Sequence, residues 1–291
     1  QAVCYHKFSL EFLLASLLCG KANDDDFSPE FKARMQSGAE FMASMMDCAG
    51  RMPAIGDSDD GKVFWFIGDG VRSPYESMLG VCSVLFNSPA LTWKLEMLGA
   101  PQFKAGLWLA VPECASVHCC ASGTKPLLPE RFEQGGYIVL GEALHTPDEF
   151  RITMDVGPLG YNRIAGHGHA DALSVLLTCK GEDFLIDPGT YCYNAAPELR
   201  RYFRGTAAHN TAMIDDLDQS LYGGSFLWLS DVVTTTHHFS DDGVNVVVEA
   251  SHDGYMRLSD PVRHTRKVTF NRNTLDILIE DNFDCAKTHR C

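Results

Sequence analysis

Apolar positions recur with two different periods along this chain. In the first part they fall three and four residues apart, the spacing that lines one face of a helix. Phe8, Phe12, Leu13 and Leu17 follow Tyr5-His6 in this way, and Gly20 supplies a stop. Ser28-Pro29 opens a second predicted helix with Phe31, Met35, Ala39, Met42 and Met46 on one side. Ser73-Pro74-Tyr75-Glu76 joins an N-cap, a proline at the first helical position and a capping-box acid. That helix is expected to run through Leu79 and Cys82 to Phe86, and Ser88-Pro89 starts another that Gly99 ends. Repeated pairs of this kind point to an α-hairpin array or a toroid, with the methionines as core.

From about Phe132 the period shortens to two. Gly135-Gly136 precedes an expected strand Tyr137–Leu140, and further strands are expected at Phe150–Val156, Ala172–Thr178 and Phe184–Ile186. Lys180-Gly181-Glu182-Asp183 reads as a tight turn, as does Asn271-Arg272-Asn273. Val244–Val248, Arg266–Phe270 and Thr274–Glu280 continue the series, which argues for an antiparallel sandwich. The chain therefore divides near residue 128, with helices over 1–128 and strands over 129–291.

At 291 residues and 45% hydrophobic content the chain can bury a sizeable core. Its net charge of −14 argues against nucleic acid or an anionic membrane as partner. The apolar run from Phe12 to Cys19 is too short to span a bilayer. Eleven cysteines match neither a zinc-finger framework nor a small disulfide scaffold, and most are expected to be buried thiols. No G-x-G-x-x-G, P-loop or G-x-S-x-G stands in a suitable context, so nucleotide and serine-hydrolase chemistry lacks support.

The chemistry concentrates in Gly166-His167-Gly168-His169-Ala170-Asp171, then Asp187 at the end of an apolar run, then His209. In an extended strand His167 and His169 would share a face. Imidazoles with one carboxylate are what zinc takes as ligands, and a three-ligand site would leave one imidazole for proton transfer. Arg200, Arg201 and Arg204 precede His209 with no acid between Leu199 and Thr211, so a cationic pocket can exist in this acidic chain. Asp57-Ser58-Asp59-Asp60-Gly61 allows either a calcium loop or a capped turn, and its spacing is not that of an EF-hand. His237-His238, with no acid near, reads as an exposed strand pair.

Three ordered blocks, Gly166–Ser174, Asp187–Tyr191 and Arg201–Thr211, resemble the heparinase II/III-like family of heparin, heparan sulfate and alginate lyases. The resemblance implies an incomplete (α/α) toroid followed by an antiparallel β-sandwich, cut short at the C-terminus. It implies β-elimination on an anionic uronate polysaccharide or oligosaccharide, in a periplasmic or secreted setting. By position in the motifs His167 corresponds to the catalytic histidine. His169, Asp187 and His209 correspond to the ligands of a structural zinc, and Tyr5 to the catalytic tyrosine. The family's carboxylate-neutralising residue lies upstream of that tyrosine, so the chain reads as an internal fragment and is expected to be poorly active alone.

β-Elimination removes the proton on C5 of the uronate and expels the oxygen on C4, so it needs a base and an acid. Tyrosine and histidine can divide those roles. A nearby cation such as Arg204 could favour the Tyr5 phenolate, and Arg204 is the arginine expected to grip the anionic sugar. Two alternatives stay open: a metal-dependent hydrolase or oxygenase using the same ligands, and a non-catalytic carbohydrate-binding sandwich.

Overall fold

A computed structural model describes residues 2–61, 63, 73–99, 127–161 and 164–291. Among the described residues four helices come first: α1 (Val3–Ala22), α2 (Pro29–Met45), α3 (Pro74–Leu85) and α4 (Pro89–Met97). The last three begin as their sequences dictate. Ser28, Ser73 and Ser88 each accept a hydrogen bond from a backbone N–H of the first turn, and each precedes a proline. α1 lacks a side-chain cap and passes Gly20, ending where Asn23 and Asp25 donate their N–H groups to the Gly20 carbonyl. By length and composition this helix could cross a membrane, unlike the Phe12–Cys19 run alone. Here its Leu10, Leu14 and Leu17 pack with Met35, Met42, Met46, Leu79 and Leu91 in one core.

The strands β1 (Arg131–Phe132), β2 (Tyr137–Glu142), β3 (Phe150–Asp155), β4 (Val175–Cys179) and β5 (Glu182–Leu185) form one antiparallel sheet in sequence order. After a helix α5 (Pro197–Arg204) and a small hairpin of β6 (Tyr222–Gly224) and β7 (Leu227–Trp228) comes the second sheet. It contains β8 (Thr234–Asp241), β9 (Asn245–His252), β10 (Arg263–Asn271) and β11 (Ile277–Asp284), all neighbours antiparallel. Ile138, Leu140, Ile152 and Met154 meet Val246, Val248, Val268 and Phe270 between the sheets. Phe150 and Phe270 stack there with ring centroids 5.4 Å apart.

Alternation along β2 explains how the helices attach. Ile138 and Leu140 face the second sheet, while Tyr137 and Val139 face the other way, onto Val3, Met45 and Ile55. β2 is thus buried on both faces, and its unbroken apolar run follows from that. A buried polar knot closes the junction. Lys94 of α4 donates to the carbonyls of Met46 and Asp47 at 2.8 and 3.0 Å, and Arg151 of β3 donates to the Ser44 carbonyl at 2.6 Å while pairing with Glu149.

Several expectations shift. The strand expected from Ala172 begins at Val175, because Asp171–Ser174 form a turn in which the Ser174 N–H meets the Asp171 carbonyl. Helix α5 had no apolar period to announce it, since its buried residues are Arg200 and Arg204. His237 and His238 are exposed on β8, as expected. Among the described cysteines all eight are free, and only Cys82 is fully buried, so most are half-buried rather than core thiols. Cys114, Cys119 and Cys120 lie outside the described residues.

Candidate functional site

Five loops converge where the first turn of α1 meets the sandwich. His167 and His169 lie in the β3–β4 connection, in a turn and loop rather than the strand expected for them. Gly168 makes that turn possible: a Cβ there would stand 1.6 Å from the Leu159 carbonyl oxygen. Its own carbonyl accepts from Arg204 Nη2 at 3.1 Å and from the Trp228 indole at 2.9 Å. The loop after α2 comes alongside, with the Asp57 N–H donating to the His167 carbonyl at 3.0 Å and the Ser58 N–H to Thr190 Oγ1 at 2.5 Å.

His169, Asp187 and His209 come together, all buried, with one ligand atom from each lying within 4.8 Å of the others. His209 Nδ1 donates to the Gly205 carbonyl at 2.8 Å, and His169 Nε2 stands 3.0 Å from Asp57 Oδ1. Those two bonds direct the remaining lone pairs, on His209 Nε2 and His169 Nδ1, toward each other at 3.3 Å. Asp187 Oδ1 lies 3.8 Å from His209 Nε2. Two lone pairs and a carboxylate facing one another repel unless a cation stands between them, so this donor set fits a zinc ion. Burial lowers the His169 pKa, which keeps the imidazole in the neutral form that binds metal.

Beside this trio the Tyr5 and His167 rings meet at a tilt of 40°, their centroids 4.4 Å apart. Both line a cavity of about 1740 Å³ between the helices and the sandwich, which also takes in Phe31, Arg34, Phe41 and Phe226. The Tyr5 hydroxyl donates to Asp59 Oδ2 at 2.8 Å and lies 2.6 Å from the Tyr193 hydroxyl. Burial, then Tyr193 and Asp59, push its pKa well above the usual tyrosine value. That direction favours the protonated phenol, opposite to the phenolate that a nearby Arg204 was expected to stabilise.

Arg204 itself requires a correction. It is wholly buried, stacks 4.8 Å from the Trp228 ring and donates to the carbonyls of Gly166, Gly168 and Gly224. A guanidinium held by three backbone carbonyls inside the protein positions the histidine loop and does not grip a sugar. Arg200 is also fully buried, forked onto both Asp57 oxygens, so the arginine-rich segment is not an open cationic pocket. Arg201 alone of the three is exposed. The 57–61 loop is a capped turn, with Asp59 Oδ1 accepting from the Gly61 N–H at 2.9 Å, and Asp57 is already committed to a cation.

The heparinase II/III-like C-terminal profile matches residues 124–291, more than half of the sequence. The chain belongs to the heparinase II/III-like family. Its fold is similar to that of a heparinase III, with TM-score 0.71 at 17% identity over 98% of this chain and 38% of that one. It is similar also to the heparan sulfate lyase HepC from Pedobacter heparinus, with TM-score 0.67 at 14% identity over 96% of this chain and 37% of that one. This chain thus spans less than two fifths of the length of those structures. No curated protein matches it in sequence.

Within this heparinase-like frame two contributors, Asp57 and Tyr193, escaped the sequence reading. Asp57 was weighed only as part of an acidic turn, yet it accepts from His169 and His167, at 3.0 and 3.1 Å, as well as from Arg200. Burial alone would raise its pKa; hydrogen bonds from His169 and Arg200 instead bring it down to about 2. Tyr193, whose pKa burial pushes up to about 12, completes the hydroxyl pair with Tyr5. The one hint available was the absence of acids near Arg200, which obliged a buried arginine there to find its partner elsewhere in the chain.

Proposed function

We propose that this protein is a polysaccharide lyase that cleaves a uronic-acid-containing chain by β-elimination, working with the rest of a longer protein. In this reading α1–α4 are the closing part of an incomplete (α/α) toroid, and residues 129–291 are the sandwich that follows. One observation carries the reading: Tyr5 and His167, 162 positions apart in sequence, meet at 4.4 Å on the wall of the large interlayer cavity.

The geometry divides the roles. The His167 side chain is half exposed and holds its Nδ1 against Asp57, which leaves Nε2 to take the C5 proton. Tyr5, kept protonated by its surroundings, donates to the departing C4 oxygen. His169, Asp187 and His209 would hold a zinc ion, which when bound ties three loops together behind the His167 turn. Their burial suits a structural ion rather than one that must reach substrate, which favours the lyase over a metal-dependent hydrolase. The similar structures are a heparinase III and a heparan sulfate lyase, and we infer a heparan-sulfate-like substrate before alginate.

The test uses the full-length protein with heparan sulfate, heparin and alginate, following ultraviolet absorbance of unsaturated uronate ends. His167→Ala and Tyr5→Phe are each expected to slow turnover by about 10²–10⁴-fold with zinc content unchanged. Saturated product ends carrying added water would replace the lyase with a hydrolase.

A further inference from the structure

Asp57 occupies a position that simple acid–base bookkeeping does not require. Its carboxylate is fully buried and takes four donors, two on each oxygen. Oδ1 receives Arg200 Nη1 and His169 Nε2; Oδ2 receives Arg200 Nη2 at 2.6 Å and His167 Nδ1 at 3.1 Å. An ionised carboxylate has about four lone-pair sites and nothing to donate. All four sites are filled, and both imidazole nitrogens facing it must therefore carry hydrogen.

That requirement sets the opposite nitrogen of each ring. For His167 the free lone pair falls on Nε2, on a side chain that is half exposed and lines the cavity. For His169 it falls on Nδ1, inside the protein and 3.3 Å from His209 Nε2. We propose that Asp57, clamped by Arg200, is the positioning residue that fixes both histidine tautomers at once, coupling the proton-transfer histidine to the metal-binding trio through one carboxylate. Backbone geometry reinforces the coupling, since the Asp57 N–H also holds the His167 carbonyl. The roles of the two imidazoles rest on the lyase and zinc reading; the tautomers themselves do not.

An asparagine at this position exposes the requirement. Its side chain offers a single acceptor oxygen and an NH₂ group, so it cannot accept from both histidines. One ring must then flip its hydrogen to the other nitrogen. If His167 flips, kcat falls by about 10²–10⁴-fold with KM held; if His169 flips, zinc content falls.

The experiment is nitrogen-15 NMR of ring-labelled histidine in the full-length protein, with signals assigned by their loss in His167→Gln and His169→Gln. The expected result is hydrogen on Nδ1 of His167 and on Nε2 of His169 in the wild type, with one of the two reversed in Asp57→Asn. The other tautomer at either ring in the wild type overturns the proposal, as does Asp57→Asn with unchanged tautomers, kcat and zinc content. Should Asp57→Asn fail to fold because Arg200 loses its partner, the wild-type tautomers alone decide. They are read without substrate, so a protein that yields no unsaturated product removes the lyase reading and leaves this one to stand or fall separately.

Discussion

Replacing Gly168 by alanine tests how tightly the histidine turn is held. The added Cβ would lie 1.6 Å from the Leu159 carbonyl oxygen and 2.7 Å from its carbon, both backbone atoms. Real Cβ atoms essentially never come closer than 3.0 Å, so the turn or its neighbour must move by about 1.4 Å. Neither is free to do so. The Gly168 N–H is bonded to Ala165, and its carbonyl is held from one side by Arg204 and from the other by Trp228. Overpacking against a fixed backbone costs about 1–3 kcal/mol, and each kcal/mol lowers Tm by about 2–4 °C in a domain of this size class. A misplacement near 1 Å costs about 10²-fold in rate, and both histidines flank the residue that must move. Gly168→Ala is thus expected to melt several degrees early and to lose about 10²-fold in kcat. Gly243→Ala is the control: unlike Gly168 it sits at positive φ, with nothing within 4 Å, so it pays only backbone strain and keeps its turnover. Thermal unfolding and the unsaturated-product assay read the two effects separately. A Gly168→Ala protein with wild-type Tm and kcat would refute the account of this turn.

Arg204→Met should destabilise by about 1–3 kcal/mol in chemical denaturation, because it removes the donors from the carbonyls of Gly166 and Gly224 and leaves that of Gly168 to Trp228 alone; a mutant as stable as wild type but weaker in substrate binding would restore Arg204 to the sugar. Metal analysis of protein purified without added zinc should find about one ion per chain, lost in His209→Ala and kept in His167→Ala, with a lower Tm after chelation. Burial holds the Lys94 pKa at about 7, against 10.5 for the free side chain. Between those values the unfolded chain carries a proton that the folded one lacks, so this group's contribution to stability rises as pH increases. The stability difference between wild type and Lys94→Met should therefore move in favour of wild type by up to about 1.4 kcal/mol per pH unit above 7, and a flat difference across that range would refute the assignment.

Much of the architecture was legible because it rests on neighbours along the chain. Ser-Pro pairs at 28–29, 73–74 and 88–89 start helices whatever surrounds them, since cap and proline act within one turn. Alternating burial through 266–270 follows from a pleat of period two, and the short apolar run at 137–140 marks a strand buried on both faces. The ligand-type trio was legible as a pattern of side chains, and folding brings His169, Asp187 and His209 together. The partners of charged and polar groups were not legible. Nothing local says that Arg200 will meet Asp57, 143 positions away, or that Asp59 will face Tyr5 and keep its phenol protonated. Arg204 looked like a cation open to the anionic sugar because its charge is visible in sequence and its burial is not. Secondary structure follows from short-range sterics and hydrogen bonding. The state of a titratable group follows from whichever charges the tertiary fold sets within a few ångströms of it, and those came here from loops far apart in the chain.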